Sequence, residues 1–163
     1  MDFNDILTTL EGSAFATAIL EGDSLFPWIE AIHVLALVVV VGTIWIVDLR
    51  LLGVAAHTRS VQRLMKQLVP LTWAAFGIAA ITGFLMFSSN AVAYAANWPF
   101  RIKMLLLISA GLNMLYFHIA TYRDIGQWDE AKTPRAARIA GGLSLSLWII
   151  VIFLGRWIGF TIA

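Results

Sequence analysis

Four long apolar segments run along this sequence, and each is long enough to cross a lipid bilayer as an α-helix. A hydrocarbon core about 30 Å thick needs roughly 20 mostly apolar residues in a helix. Of the 163 residues, 60% are hydrophobic and 13% are charged, whereas soluble domains are about 25% charged. The apolar runs are continuous and do not alternate, which argues against the strands of a β-barrel. We therefore predict an all-α integral membrane protein, a bundle of four transmembrane helices forming one domain, 1–163. The predicted spans are about 28–55, 68–87, 100–122 and 139–162.

The N-terminal segment differs from the spans. Apolar residues recur near helical spacing over residues 3–20, between acidic residues. This pattern predicts an amphipathic helix lying at the membrane surface, with a frayed polar tail as the alternative. The acidic first 25 residues lack the basic segment of a cleavable signal peptide, so none is expected.

The distribution of cations predicts an orientation. Eight of the eleven lysines and arginines flank the first and third loops, whereas the other side holds three cations and six of the ten acids. Positively charged loops stay in the cytoplasm. We expect a multi-pass protein of the bacterial inner membrane with both termini outside. The eight cations are Arg50, Arg59, Arg63, Lys66, Arg123, Lys132, Arg135 and Arg138.

Composition also excludes several function classes. The net charge is +1, which gives no indication of nucleic-acid binding, and without cysteine there are no disulfides, iron–sulfur clusters or thiolate metal sites. There is no phosphate-binding loop, nucleophile–base pattern or zinc motif, so hydrolytic chemistry is not expected.

Small residues four apart, Ala79 with Gly83 and Gly155 with Gly159, favour close helix approach within one chain or between copies. We expect contact with the lipid bilayer and a homo-oligomer.

Ionisable residues at membrane depth are costly, which makes them candidates for a functional role. They fall into two layers along the predicted spans. The outer layer contains His33, Lys103, Arg156, Met86 and Met104. The inner layer contains Asp48, Arg50, His118 and Tyr122, with His57 just beyond in the first loop.

Imidazoles and cations in an apolar bundle are typical of haem b, whose iron takes a histidine nitrogen and whose propionates need cationic partners near an interface. We therefore predict His33 as an axial ligand. Arg101, Lys103 and Arg156 are the candidates for holding the propionates. The predicted function is electron transfer or a redox step within the bilayer. If the protein is an enzyme, we expect a haem-dependent oxidoreductase. Its expected partner is a redox protein or a quinone.

His118 is the second candidate ligand, with Asp48 predicted to orient its ring. Lys103 and His118 are fifteen residues apart, about 22 Å along a helix. His33 lies near the level of Lys103, so His33 and His118 of one chain are not expected to share an iron. Either His33 has a different second ligand, or His118 serves a second, inner site.

Two other functions are open on the sequence. Imidazole and thioether suit Cu(I), so His33, Met86 and Met104 at one depth are compatible with copper binding or transport, alone or beside a haem. Alternatively the protein is a non-catalytic scaffold or accessory subunit. In that case His33 is a buried neutral histidine, Lys103 and Arg156 extend to the interface, and the methionines pack. His118 then pairs with Asp48, and His57 is solvated.

Two short segments resemble a known family. Trp28-Ile29-Glu30-Ala31-Ile32-His33 opens a span that continues through Gly42 and Trp45 to Arg50, and Trp98-Pro99-Phe100-Arg101-Ile102-Lys103 opens a span ending in Tyr116-Phe117-His118. These resemble the HemJ-type protoporphyrinogen oxidases and, more loosely, the CopD-type membrane proteins, as the segments of a distant relative would. The resemblance implies a haem b protein in which His33 and Lys103 matter most.

Overall fold

The computed structural model describes residues 2–55, 59–129 and 133–162, which form helices without any β-strand. The last part of the third span changes its helical hydrogen bonding twice, through a π-helix (Phe117–Thr121) and a 3-10 turn (Tyr122–Asp124). The α-helices in chain order are α1 (Phe3–Glu11), α2 (Ala14–Glu21), α3 (Leu25–Leu52), α4 (Val61–Ser89), α5 (Ala91–Ala96), α6 (Trp98–Tyr116), α7 (Ile125–Trp128) and α8 (Arg135–Thr161).

Four segments within the described ranges are long and apolar enough to cross a membrane: α3, α4, α8 and the continuous stretch Trp98–Trp128. In the apolar window of each, between 11% and 33% of the residues are buried inside the protein. Most of the apolar surface therefore faces outward, where lipid covers it. The prediction of an all-α, four-span membrane protein is confirmed.

Successive spans are antiparallel, which brings the start of α3 and the end of α8 to one side of the bundle. We call this the terminal side, and the opposite side, with the end of α3 and the start of α4, the loop side. On the loop side α3 ends at Gly53, whose φ of 75° lies in the left-handed region that favours glycine. The first span therefore ends three residues before the predicted 55.

The N-terminal segment is two short helices, where the sequence predicted one over 3–20. Gly12 ends α1, and Ser13 begins α2 with an extended backbone. The two helices lie at the terminal side against α3, α4 and α5. The Glu11 carboxylate accepts a hydrogen bond from the Val92 backbone N–H at 3.1 Å, which joins α1 to the start of α5.

The start of α4 depends on a residue far along the chain. Asp129 accepts hydrogen bonds from the Ser60 hydroxyl and from the backbone N–H groups of Val61 (2.6 Å) and Gln62 (3.1 Å). It thereby satisfies N–H groups that a helix start leaves without partners. This cap explains why α4 begins seven residues before the predicted 68, through a polar first turn that hydropathy does not detect.

The spans pack in the order α4, α3, α8, α6, so that α4 and α6 are not packed against each other along their length. We call this gap the α4–α6 seam. A hydrogen bond of 2.7 Å between the Thr43 and Thr72 hydroxyls joins α3 to α4. The Asn113 amide donates to the Ala140 carbonyl at 2.9 Å and joins α6 to α8.

Both ends of the α4–α6 seam are closed by side chains. On the terminal side the rings of Phe87 and Phe100 stack at 5.4 Å, with Tyr94 of α5 against both. On the loop side an apolar cluster that includes Met65 and Phe117 joins the two spans. Between these closures Trp73 and Phe76 of α4 and Gly111 of α6 are exposed on the protein surface.

Candidate functional sites

His33 projects from α3 toward α4, where its Nδ1 lies 3.0 Å from the Thr82 hydroxyl oxygen. The Thr82 hydroxyl donates its own proton to the Ile78 carbonyl at 2.7 Å. We assign the proton to His33 Nδ1, with the Thr82 oxygen as the acceptor, because this arrangement lets the hydroxyl keep its bond to Ile78. This tautomer leaves the lone pair of Nε2 for another partner, as in histidines that bind a metal.

The space around the His33 ring depends on two glycines. A Cβ on Gly83 would lie 3.1 Å from Cε1 of His33, closer than an ordinary contact. A Cβ on Gly155 of α8 would lie 3.9 Å from Nζ of Lys103, which is largely enclosed in the bundle. The positive charge of Lys103 is close enough to act on the His33 imidazole. All four spans thus contribute to one terminal-side site: His33, Thr82, Gly83, Lys103 and Gly155.

The other two predicted propionate partners lie outside this site. Arg101 is exposed and donates from Nε to the Ala95 carbonyl at 2.6 Å, which caps α5. Arg156 is exposed, with its guanidinium 4.8 Å from the Phe160 ring centre. At 100° per residue, Arg101 lies on the face of α6 opposite Lys103. Equal depth in the membrane therefore did not place these cations together.

A second site is a cavity of about 150 Å³ nearer the loop side, which we call the loop-side cavity. All four spans contribute to its walls, which are mostly apolar. Asp48 and His118 are its ionisable lining residues. Its other polar lining residues are Thr43, Thr72, Asn113 and Ser144.

His118 lies on the π-helix, a feature that is frequent at functional sites. Its Nδ1 lies 2.9 Å from the Met114 backbone carbonyl, which can only accept a hydrogen bond. Nδ1 therefore carries the proton and Nε2 keeps its lone pair, as in His33. The Tyr122 and Phe117 rings lie against the imidazole, with ring centres 5.4 and 5.7 Å away.

Asp48 is only 5% exposed, and Ser144 of α8 lies beside its carboxyl group. Within the described part of the chain, Oδ2 of Asp48 has no hydrogen-bond partner. The sequence predicted that Asp48 orients the His118 ring. In the structure Nδ1 of His118 is bonded to the Met114 carbonyl instead. The two side chains instead share the lining of one cavity.

The two histidines occupy different levels of the bundle. His33 lies beside Thr82, whereas the α4 wall of the loop-side cavity runs from Met65 to Phe76 and His33 is not part of its lining. Across the described ranges, no cluster of three or more His, Asp or Glu side chains is positioned to hold a metal ion. A haem, which takes one or two protein ligands, does not require such a cluster. His57 lies outside the described residues.

Sequence reasoning missed Thr82, Ser144 and the π-helix. Thr82 stands next to Gly83 in an apolar span. A hydroxyl residue beside a small residue, at the predicted depth of His33, was a signal in the sequence that could have identified Thr82 as its partner. Gly83 was identified as a point of close helix approach, and the structure adds that the His33 ring is what approaches it.

The fold and its sites define a class: a four-span membrane protein with two separate histidine sites inside the bundle. The chain belongs to the family of unknown function DUF6644, whose family model matches residues 21–161. No curated protein and no solved structure matches the chain. The matched residues include all four spans and both sites, and the resemblance to HemJ-type and CopD-type proteins stays a prediction.

Proposed function

We propose that this protein binds haem b in the membrane through His33 and carries electrons or performs a redox step there. The observation that carries the proposal is the hydrogen bond from His33 Nδ1 to Thr82, which fixes the ring and leaves Nε2 as a ligand. Bound haem would supply a one-electron carrier whose potential depends on its axial ligand and surroundings.

The residues around His33 fit this role. Haem-ligating imidazoles commonly donate their second ring N–H to an oxygen, as His33 does to Thr82. Lys103 supplies an enclosed positive charge in the same site, suited to a propionate. In this proposal Arg101 and Arg156 belong to the membrane interface. The loop-side cavity beside His118, at about 150 Å³, is smaller than the 300–1,000 Å³ or so of cofactor pockets, which argues against a haem at His118.

The remaining features of the proposal follow from charge and composition. The excess of cations on the loop side supports a cytoplasmic loop side and termini outside, in a bacterial inner membrane. The large outward-facing apolar surface supports self-association. A redox partner, either a protein or a quinone, is part of the proposal.

The test is the haem and metal content of the protein purified in detergent. One haem b per chain or per oligomer, with the absorption spectrum of a histidine-ligated haem, is the expected result. Stoichiometric copper without haem would instead favour copper binding by His33, Met86 and Met104. A colourless, metal-free protein that purifies with a larger complex would favour the scaffold role, and either result would overturn the haem proposal.

A further inference from the structure

The loop-side cavity has the size of a single aromatic ring. Its volume is about 150 Å³, close to that of cavities known to hold benzene. Apolar walls with a few convergent polar groups are typical of small-molecule sites.

The two ionisable groups of the cavity each present an acceptor atom, since one carboxyl oxygen accepts a hydrogen bond in either protonation state of Asp48. Nε2 of His118 has a lone pair because Nδ1 donates to Met114. Asp48 has an oxygen without a partner in the described structure, and leaving such a buried group unpaired is costly. The Asn113 amide is already engaged with Ala140. Two acceptors facing one ring-sized space favour a ring that carries hydroxyl groups.

The route to the cavity leads from the lipid. Trp73 and Phe76 of α4 and Gly111 of α6 line the cavity and are also exposed on the protein surface. They lie on the two sides of the α4–α6 seam, between its closures. Pro70, inside α4 near this level, removes one backbone hydrogen bond from that helix. A ligand with an apolar tail would therefore enter from the bilayer and leave its tail in the seam.

From these observations we propose that the loop-side cavity binds the ring of a membrane-soluble, single-ring quinol, with Asp48 and His118 accepting hydrogen bonds from its hydroxyl groups. The proposal concerns binding alone and does not depend on haem at His33. A bound lipid chain or a second copy of the protein over the seam are the competing occupants.

The experiment measures binding of a short-tailed benzoquinol to the purified protein in detergent under anaerobic conditions, by equilibrium dialysis. Its dimethyl ether, which lacks both hydroxyl donors, is the matched control ligand. We expect the quinol to bind at least about tenfold more tightly than the ether, since each lost hydrogen bond to a buried acceptor costs roughly that factor. Asp48→Leu, which removes both carboxyl oxygens, should remove about tenfold of this preference.

A second pair of variants tests the location. A Cβ added at Gly111 or at Gly42 would meet no other atom within 4 Å, but only Gly111 lines the cavity. Gly111→Leu should therefore abolish quinol binding, whereas Gly42→Leu should leave it unchanged.

Equal binding of quinol and ether would indicate a lipid site and overturn the proposal. Absent quinol binding, with a Gly111→Leu variant that changes oligomeric state, would indicate an interface between copies and overturn it too. Because no haem signal is read, failure here is distinct from failure of the haem proposal.

Discussion

The Thr82 hydroxyl oxygen lies 3.0 Å from Nδ1 of His33 and accepts a hydrogen bond from it, while the Thr82 hydroxyl donates a hydrogen bond to the Ile78 carbonyl. This relationship joins the first two spans and fixes one tautomer of the histidine. It gives the terminal-side site its ligand and makes the site testable by substitutions that leave His33 in place.

Replacing Thr82 with valine keeps the shape of the side chain and removes the acceptor. We expect haem binding to weaken roughly 10- to 100-fold, as for other substitutions of residues that orient a ligating histidine. Haem titration of the apoprotein measures the change. Thr43→Val alters a comparable hydroxyl pair with Thr72 at another level, and it should leave haem affinity unchanged. Equal affinity of Thr82→Val and wild type would remove Thr82 from the site.

Replacing Gly83 with valine introduces a Cβ 3.1 Å from Cε1 of His33, so the ring must shift. We expect a lower ratio of haem to protein after purification. Gly77→Val is the matched control on the same helix, since nothing lies within 4 Å of a Cβ there. If both variants retain full haem occupancy, the ring does not need the space at Gly83.

Replacing Lys103 with glutamine removes a positive charge close to His33. A nearby cation disfavours the oxidised, more positive haem, so its loss should lower the midpoint potential. We expect a decrease of roughly 60 mV, a tenfold change in a one-electron equilibrium, in a potentiometric titration. Arg156→Gln changes an exposed cation at a similar depth and should shift the potential much less. Equal shifts in the two variants would contradict the placement of Lys103 inside the site.

The hydrogen bonds of the Asp129 carboxylate predict how the stability of the protein depends on pH. Partial burial alone would raise the pKa of Asp129, but the hydrogen bonds from Ser60, Gln62 and Val61, with the charge of Arg50, outweigh it and hold the pKa below its ordinary value. A lowered pKa adds stability above the unfolded-state value, and that stability is lost as pH falls through the folded-state value. Asp129→Ala should therefore lower stability at neutral pH by about 1 kcal/mol, as for other helix caps.

Thermal unfolding of the wild type and of Asp129→Ala in detergent measures their difference in stability across pH. The gap in melting temperature should stay constant from pH 7 to about pH 5 and shrink below about pH 4. Asp124→Ala, at a nearby carboxylate outside this cap, is the control. A gap independent of pH would show that the carboxylate charge has no part in the cap.

The orientation is tested by fusions at the C-terminus, after Thr161, and in the turn after Gly53. The cation excess on the loop side predicts that a reporter active only outside the cytoplasm works at the C-terminus and fails in the turn. The reverse pattern would place the loop side outside.

The four spans could be predicted from the sequence because hydropathy reports burial in lipid, averaged over about twenty residues. It does not report the break at Gly12 and Ser13, or the start of α4, which Asp129 caps from 68 residues away in the chain. These features depend on single hydrogen bonds and on tertiary contacts.

The sites were predictable in part. The predicted depth of His33 and Lys103 gave a reason to consider them together, and helical rotation would already have separated Arg101 from Lys103. His118 is different, because the π-helix that begins at Phe117 changes the rotation per residue. Neither the partner of its ring nor the loop-side cavity follows from a regular helical wheel.

The most direct test is the visible absorption spectrum of the wild-type protein beside His33→Ala and His118→Ala, each reduced and oxidised, with haem supplied during expression. Wild type and His118→Ala are expected to show a Soret band of equal intensity per chain, and His33→Ala to lose it. A Soret band that survives in His33→Ala, or one that is absent from the wild type, would contradict His33 as the haem ligand.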